Sequence, residues 1–170
     1  MNISASLQKT NPFLAKYAQS INKILDANSL CTLATVDSKG NPHANTAYFA
    51  VDSYLNIYLL TQPSTQHGKN IERNHQVAIT IFESNQPWGK PHRGLQLGGI
   101  CKKVGQKEQG AVFHIYSTKH PELLNLVKTS SDMAKELESR FYGIKVTWLK
   151  LIDEAKYGME THFFIKIKRN

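Results

Sequence analysis

The segment that decides the fold of this chain, Tyr58–Ile71, has the sequence YLLTQPSTQHGKNI. An apolar, strand-like pattern ends at Pro63, and Ser64 or Thr65 can cap a short helix that reaches about Arg73. Free N–H groups at a helix start, with hydroxyls and an ammonium beside them, can bind a phosphate. The alternative is an ordinary capped helix whose lysine points to solvent. The neighbouring segments favour the phosphate site.

Composition and charge describe a globular chain without a membrane-spanning segment. The 170 residues are 41% hydrophobic and 20% charged, which is typical of one soluble domain. No apolar run approaches the roughly 20 residues of a membrane helix, and the N-terminus lacks the basic and apolar regions of a signal peptide. Cys31 and Cys101 lie in strand-like segments without metal-ligand spacing. We therefore expect buried thiols, no metal site and a cytoplasmic protein.

The net charge of +8 raises the question of nucleic-acid binding. The basic residues are scattered, however, and the densest group is Lys166, Lys168 and Arg169 at the C-terminus. A positive field also suits a small anionic ligand such as a phosphorylated cofactor. Nucleic-acid binding stays open as a less favoured interpretation.

The periodicity of apolar residues predicts many short strands joined by tight turns. The predicted strands cover residues 30–36, 43–51, 54–61, 76–82, 93–104, 144–152 and 163–167. The first three follow one another through short turns, which predicts an antiparallel meander. In the sixth, Ile144, Val146, Trp148 and Ile152 alternate with Lys145, Thr147, Leu149 and Leu151. Strands of this number and spacing favour a closed or nearly closed barrel.

Helices flank the predicted barrel. An amphipathic pattern predicts one over residues 12–28, with Asn11 as its cap and Pro12 in its first turn. Two more are predicted over residues 106–116 and 121–140, the second loosened near 129–131. The chain is thus predicted to be one α+β domain over residues 1–170. Its parts are an N-terminal helix at about 12–28, a barrel at about 30–104 and 143–168, and a helical insertion at about 106–141.

Catalytic motifs are absent from the sequence. It has no nucleophile elbow, paired-cysteine zinc site, Walker loop or dinucleotide fingerprint. The seven histidines include no pair at helical ligand spacing, and only His67 stands out, because of its loop. Asp153 and Glu154 are expected to be exposed turn residues. An anion site without protein acid–base groups favours a bound cofactor that supplies the chemistry.

Three segments in this order resemble the FMN-binding split-barrel family, to which the pyridoxamine 5′-phosphate oxidases belong. Residues 33–43, with a Gly-x-Pro turn, resemble its opening hairpin. Residues 60–69 resemble its phosphate-binding strand end and loop, and residues 86–99 resemble the segment that leads into an interface strand. The likeness is greatest to small bacterial relatives without an assigned substrate. It implies a six- or seven-stranded, mostly antiparallel split β-barrel with flanking helices.

The resemblance also implies a site. It would place Asn45, Thr46, Ala47 and Tyr48 along the flavin ring, whose polar edge their backbone groups would bind. It would place the phosphate at the end of the next strand, with Lys69 as the main charge. The residues expected there are Leu60, Thr61, Thr65, His67 and Lys69. Gln96, with Trp88 and Arg93, would reach the flavin from the second subunit of a homodimer.

Departures from the family pattern limit the functional expectation. Gln66 and His67 stand where the well-studied oxidases have an Arg-Lys pair, and the Arg-x-His substrate signature is absent around His162. The expected function is an FMN-dependent oxidoreductase of unknown substrate that is not a pyridoxamine phosphate oxidase. One alternative is a haem-binding protein on the same barrel, with His114, His120 or His162 as ligand. Another is a cofactor-free interaction or nucleic-acid-binding module.

Overall fold

Alternating apolar and polar residues build seven antiparallel strands within residues 2–169, the part of the chain that the computed structural model describes; the side chains of 133, 134 and 136 are outside this description. The strand order is β3-β2-β1-β4-β5-β6-β7, and β3 also pairs with β6. Six strands therefore close into a barrel, and β7 extends from β6. The α+β split-barrel fold predicted from the sequence is confirmed.

The strand bounds agree with the predicted ones to within a few residues. The strands are β1 Leu30–Val36, β2 Pro42–Val51, β3 Asn56–Thr61, β4 Gln76–Phe82, β5 Arg93–Lys103, β6 Arg140–Asp153 and β7 His162–Lys166. The helices are α1 Ala5–Thr10, α2 Pro12–Ala27, α3 Gln66–Arg73, α4 Gln109–Lys119, α5 Ser130–Glu136 and α6 Glu154–Tyr157. A 3₁₀ turn covers Pro121–Asn125.

Two helix predictions were wrong in part. The predicted helix over residues 121–140 is a 3₁₀ turn followed by the short α5, and Arg140 already belongs to β6. Asn11 does precede α2, but its side chain makes no cap hydrogen bond. Instead Nδ2 of Asn11 donates to the backbone carbonyl of Lys168, and Oδ1 of Asn11 accepts from the backbone N–H of Lys168. The side chain of Asn11 therefore binds the C-terminal segment instead of capping α2.

The main core fills the barrel interior and is closed by the apolar face of α2. Its helix residues are Leu14, Tyr17, Ile21, Ile24 and Leu25. A second, smaller core lies outside the barrel, where α4 packs over the end of β2 and over β3. Both cysteines are buried and free, as predicted. No helix among the described residues is long and apolar enough to cross a membrane.

The single alternation predicted for β6 was wrong. Ile144 and Val146 face the core, but Leu149 and Leu151, rather than Trp148 and Ile152, face it further along. The register between β5 and β6 shifts at Gly98 and Gly99. A β-bulge adds one residue to one strand and reverses which side chains point inward. The sequence pattern on either side of the bulge is regular, so a continuous count across it assigns the wrong face.

Candidate functional site

The start of α3 forms a tight corner with the end of β3. Thr65 caps the helix, since its Oγ1 accepts from the amide of Gly68 at 3.2 Å. The same hydroxyl donates to the carbonyl of Gln62 at 2.8 Å. A Cβ at Gly68 would lie 2.7 Å from the carbonyl oxygen of Pro63, so a larger residue would push the helix away from the loop. The predicted cap at Thr65 is thereby confirmed.

Two hydroxyls and two imidazoles meet at this corner, which we name the Thr–His cluster (His43, Thr61, Thr65 and His67). The Nε2 atom of His67 lies 2.6 Å from Oγ1 of Thr61 and 3.1 Å from Oγ1 of Thr65. The rings of His43 and His67 are nearly parallel, with centroids 6.3 Å apart. Burial, and to a lesser extent His43, lowers the pKa of His67 below its ordinary value of 6.5. The imidazole of His67 is therefore neutral at pH 7.

Side-chain amides hold α3 in place. The Nδ2 atom of Asn70 donates to Oγ1 of Thr35 in β1 at 3.0 Å, and Nε2 of Gln66 donates to Oδ1 of Asn70 at 2.8 Å. Asn70 is almost fully buried. Sequence reasoning missed Asn70 and Thr35, because the hydrogen bond joins residues that are 35 positions apart. Their hydrogen bond fixes the helix start against the barrel.

The edge of β2 next to α3 is not covered by a strand. β2 pairs with β1 over its segment Pro42–Tyr48, but it pairs with β3 only over Phe49–Val51. The two strands diverge beyond this point, so within the described residues no strand takes up the second edge of residues 42–48. Every other backbone amide and carbonyl along a strand points to a given edge. Polar backbone groups of β2 therefore face the gap beside the Thr–His cluster.

The four predicted flavin-ring residues lie on two faces of β2. Asn45 and Ala47 share the inner, half-buried face with His43. Thr46 and Tyr48 are exposed on the outer face, where the hydroxyl of Tyr116 also donates to the carbonyl of Tyr48 at 3.3 Å. A ligand along the free edge of β2 would meet the amide and carbonyl of every other one of these residues, and their side chains belong to separate surfaces.

Lys69 and Leu60 lie apart from the Thr–His cluster. Lys69 follows His67 by two positions, which is about 200° around an α-helix, and its side chain is exposed. Leu60 packs against the second core below α4. The structure therefore brings Thr61, Thr65 and His67 together, and it directs Lys69 to solvent.

The three residues expected from a second subunit also lie away from the cluster. Trp88 is fully exposed in the loop before β5, and Gln96 is exposed on the outer face of the sheet. Nε of Arg93 donates to Oδ1 of Asp153 at 3.1 Å. The prediction that Asp153 and Glu154 are exposed was wrong, because both are buried. They are held by Arg93 and by His92, respectively.

The described residues thus form a split barrel with a free β2 edge beside the start of α3. A family model described as pyridoxamine 5′-phosphate oxidase matches residues 18–151. The chain belongs to this family. The membership of the chain in this family confirms the resemblance that the sequence motifs indicated.

Individual relatives are distant. A pyridoxine/pyridoxamine 5′-phosphate oxidase of Leptospira biflexa is 28% identical over 127 residues, which cover 73% of this chain and 57% of the relative. The matched region thus spans little more than half of that enzyme. Among solved structures, a heme-binding protein of Mycobacterium smegmatis has a TM-score of 0.68 and 15% identity, covering 84% of this chain and 55% of the other. A heme storage protein of Vibrio cholerae has a TM-score of 0.58 and 17% identity, covering 86% and 93%. At these identities the structural likeness shows the fold alone.

Proposed function

We propose that the chain binds FMN at the free edge of β2, with the phosphate at the Thr–His cluster, and acts as an FMN-dependent oxidoreductase. The observation that carries the proposal is the convergence of Thr61, Thr65 and His67 at the start of α3. Membership of the oxidase family supports it. We place the protein in the cytoplasm, where Cys31 and Cys101 remain reduced.

The Thr–His cluster fits a phosphate through hydrogen-bond donors. The first backbone N–H groups of a helix lack intrahelical acceptors and carry a partial positive charge. At α3 these groups are the amides of Gln66 and His67, beside the hydroxyl of Thr61. The hydroxyl of Thr65 holds the cap, because it donates to Gln62 and accepts from Gly68. A phosphate that accepts from these groups also favours protonation of His67, whose pKa is lowered in the free protein. Lys69 adds a more distant charge from the solvent side.

The free edge of β2 fits the polar edge of a flavin ring. Its outward amides and carbonyls over residues 45–48 have no strand partner among the described residues. They can donate to and accept from the ring as another strand would. Bound FMN supplies two-electron transfer at its ring, and the chain's residues orient it and exclude water. Because the Arg-x-His signature is absent, we assign a substrate other than pyridoxamine phosphate.

A homodimer completes the site in this proposal. The outer face of the barrel exposes a row of small residues in register, Ala44, Ala34 and Ala78, and the row Thr46, Thr32 and Thr80 separates it from larger apolar side chains. The larger ones, Leu30, Tyr48 and Phe82, are 45%, 56% and 50% exposed. Large apolar side chains that are exposed together on one sheet face favour association. A second copy on this face would bring Gln96 and Trp88 towards the neighbouring flavin.

The absorption spectrum of the purified protein tests the cofactor assignment. FMN binding predicts a yellow protein with flavin absorbance, and acid extraction releases FMN. A colourless protein that binds no FMN on titration contradicts the proposal.

Light scattering tests the proposed dimer. We expect it to give twice the chain mass for the unmodified protein, and the mass of a monomer for Ala78→Arg, which places a charge in the small-residue row. The matched control Lys39→Arg leaves the mass unchanged, and a monomeric unmodified chain contradicts the assembly.

Haem is the second candidate, because two proteins of similar fold are described as heme-binding and heme storage proteins. His114 and His162 are exposed and could ligate iron. His120 is engaged inside the protein, since Nε2 lies 2.9 Å from the carbonyl of Phe49. A sharp Soret band on haem titration that is lost in His162→Ala or His114→Ala favours this candidate. Flavin absorbance without such a band excludes it in favour of FMN.

A further inference from the structure

A second surface, which we name the basic groove, lies between α1, α4 and the paired strands β3 and β6. Its volume is about 870 Å³. Leu7 of α1 and Val112 and Ile115 of α4 supply apolar walls, and Tyr58 and Gly143 lie at its floor. The groove shares no residue with the Thr–His cluster. Its size is that of a site for an organic molecule rather than for a single inorganic ion.

Cationic side chains dominate the rim of the groove. The six that line it are Lys102, Lys103, Lys107, Lys145, Lys168 and Arg169, against two carboxylates, Asp52 and Glu108. Within the described residues none of the six forms a salt bridge. Like charges that are brought together without partners raise the local positive potential and attract anions.

The carboxylate of Asp52 is already occupied by the protein itself. It accepts from the amides of Tyr54 and Asn56, from Nδ2 of Asn56 and from the hydroxyl of Tyr58. Burial, followed by Asp52, raises the pKa of Tyr58, so that the hydroxyl remains a donor to this carboxylate. Asp52 therefore organises the floor of the groove, and its negative charge acts on Arg169 at the rim. The six cations still outnumber the two carboxylates.

The floor is open because Gly143 has no side chain. Gly143 pairs with Tyr58 on one side and with Lys102 on the other. A Cβ at this position would meet the ring of Tyr58 at 3.3 Å and Cγ2 of Val104 at 3.6 Å. The missing side chain leaves space next to the ring of Tyr58, on the sheet face that Lys102 also occupies. An aromatic or aliphatic body can lie there while an acidic group reaches the rim.

The C-terminal wall of the groove is held in place. The amide side chain of Asn11 makes two hydrogen bonds to the backbone of Lys168, at 2.7 and 2.9 Å. The guanidinium of Arg169 donates to the carbonyls of Val146 and Leu55. These contacts fix the guanidinium of Arg169 and the backbone of Lys168 at the groove. A preorganised wall lowers the entropic cost of binding a ligand.

We propose that the basic groove binds a small amphipathic anion, an organic molecule with an apolar body and an acidic head group. The body lies over Gly143 and Tyr58 between α1 and α4, and the head group meets Lys102 and Lys145 at the rim. This site is independent of FMN, and its failure would leave the proposed cofactor site untouched.

Paired fluorescent probes test the proposal. 1-Anilinonaphthalene-8-sulfonate carries an acidic group, and N-phenyl-1-naphthylamine has the same aromatic body without charge. The intact protein is titrated with each. We expect the sulfonate to bind more tightly, and Lys102→Glu to weaken it by roughly tenfold while leaving the uncharged probe unchanged. Gly143→Val, which fills the floor, weakens both probes.

Lys39→Glu is the matched control, since it makes the same charge change on an exposed turn away from the groove. It should leave both affinities unchanged. Equal affinity for the two probes, equal weakening by Lys39→Glu, or sulfonate binding that responds to neither groove variant overturns the proposal. Displacement of the sulfonate by a single-stranded oligonucleotide, with no effect of Gly143→Val, overturns it in favour of a nucleic-acid surface. Circular dichroism melting verifies that each variant folds.

Discussion

The Thr–His cluster and the basic groove are both suited to anions, but they differ in the groups that would bind the anion. The cluster is half-buried and contains no lysine or arginine, and both of its hydroxyls lie within hydrogen-bonding distance of Nε2 of His67. The groove has six cations at an open rim and no ion pair among the described residues. Fixed dipoles at a helix start select the geometry of one group, whereas mobile ammonium groups attract many anions. The two proposals thus assign a selective site and a permissive one to the same chain.

The largest effect is expected at Gly68, on which the geometry of the cluster depends. Gly68→Val places side-chain atoms against the carbonyls of Pro63 and Gln62, so the free energy of unfolding should fall by about 1–3 kcal/mol and FMN binding should be lost. Urea unfolding measures the change. Gly110→Ala is the control, because nothing lies within 4 Å of the added methyl. A Gly68→Val protein of unchanged stability would show that the corner is not tight.

Salt should separate the two sites. Exposed charges are screened over a distance of about 10 Å at 0.1 M ionic strength. Raising sodium chloride from about 0.05 to about 0.5 M should weaken the sulfonate probe at the groove by roughly tenfold and FMN at the cluster by about threefold or less. Parallel titrations measure both. Equal losses at the two sites would remove the distinction between dipoles and mobile charges.

A smaller effect is expected from the titration of His67. Its folded-state pKa is lowered, so the unfolded chain binds more protons as the pH falls through the ordinary value of 6.5. The contribution of this shift to the free energy of unfolding is fully present above pH 6.5 and decreases as the pH falls towards the folded-state pKa. Between pH 7.5 and pH 5.5 the native chain should therefore lose more unfolding free energy than His67→Gln, as followed by urea unfolding. An identical loss in both proteins contradicts the lowered pKa.

Local patterns in the sequence were enough to predict much of the fold and the corner of the site. The Thr65 cap and the strand ending at Thr61 depend on residues close in sequence, and both were found. Features that depend on contacts between distant segments were not predicted. The bulge beside Gly98 and Gly99 reversed the faces of β6, and the burial of Asp153 required its partner Arg93.

The basic groove illustrates the same limit. Its lining comes from α1, α4, β3, β6 and the C-terminal segment, and Gly143 contributes by having no side chain. No short motif marks such a site. The orientation of Lys69 was missed for a related reason, because the buried face of α3 is set by its packing on β1 through Asn70.

Comparing FMN with riboflavin, which lacks the phosphate, tests the central claim most directly. Fluorescence titration should show FMN binding at least about tenfold more tightly, and Thr61→Val should reduce this preference while leaving riboflavin affinity unchanged. Lys69→Ala should reduce the preference less than Thr61→Val. Thr118→Val is the matched control, since its hydroxyl is exposed on α4 and donates to the carbonyl of His114 in the same helix. Equal affinity for FMN and riboflavin in the native chain would contradict a phosphate site at the Thr–His cluster.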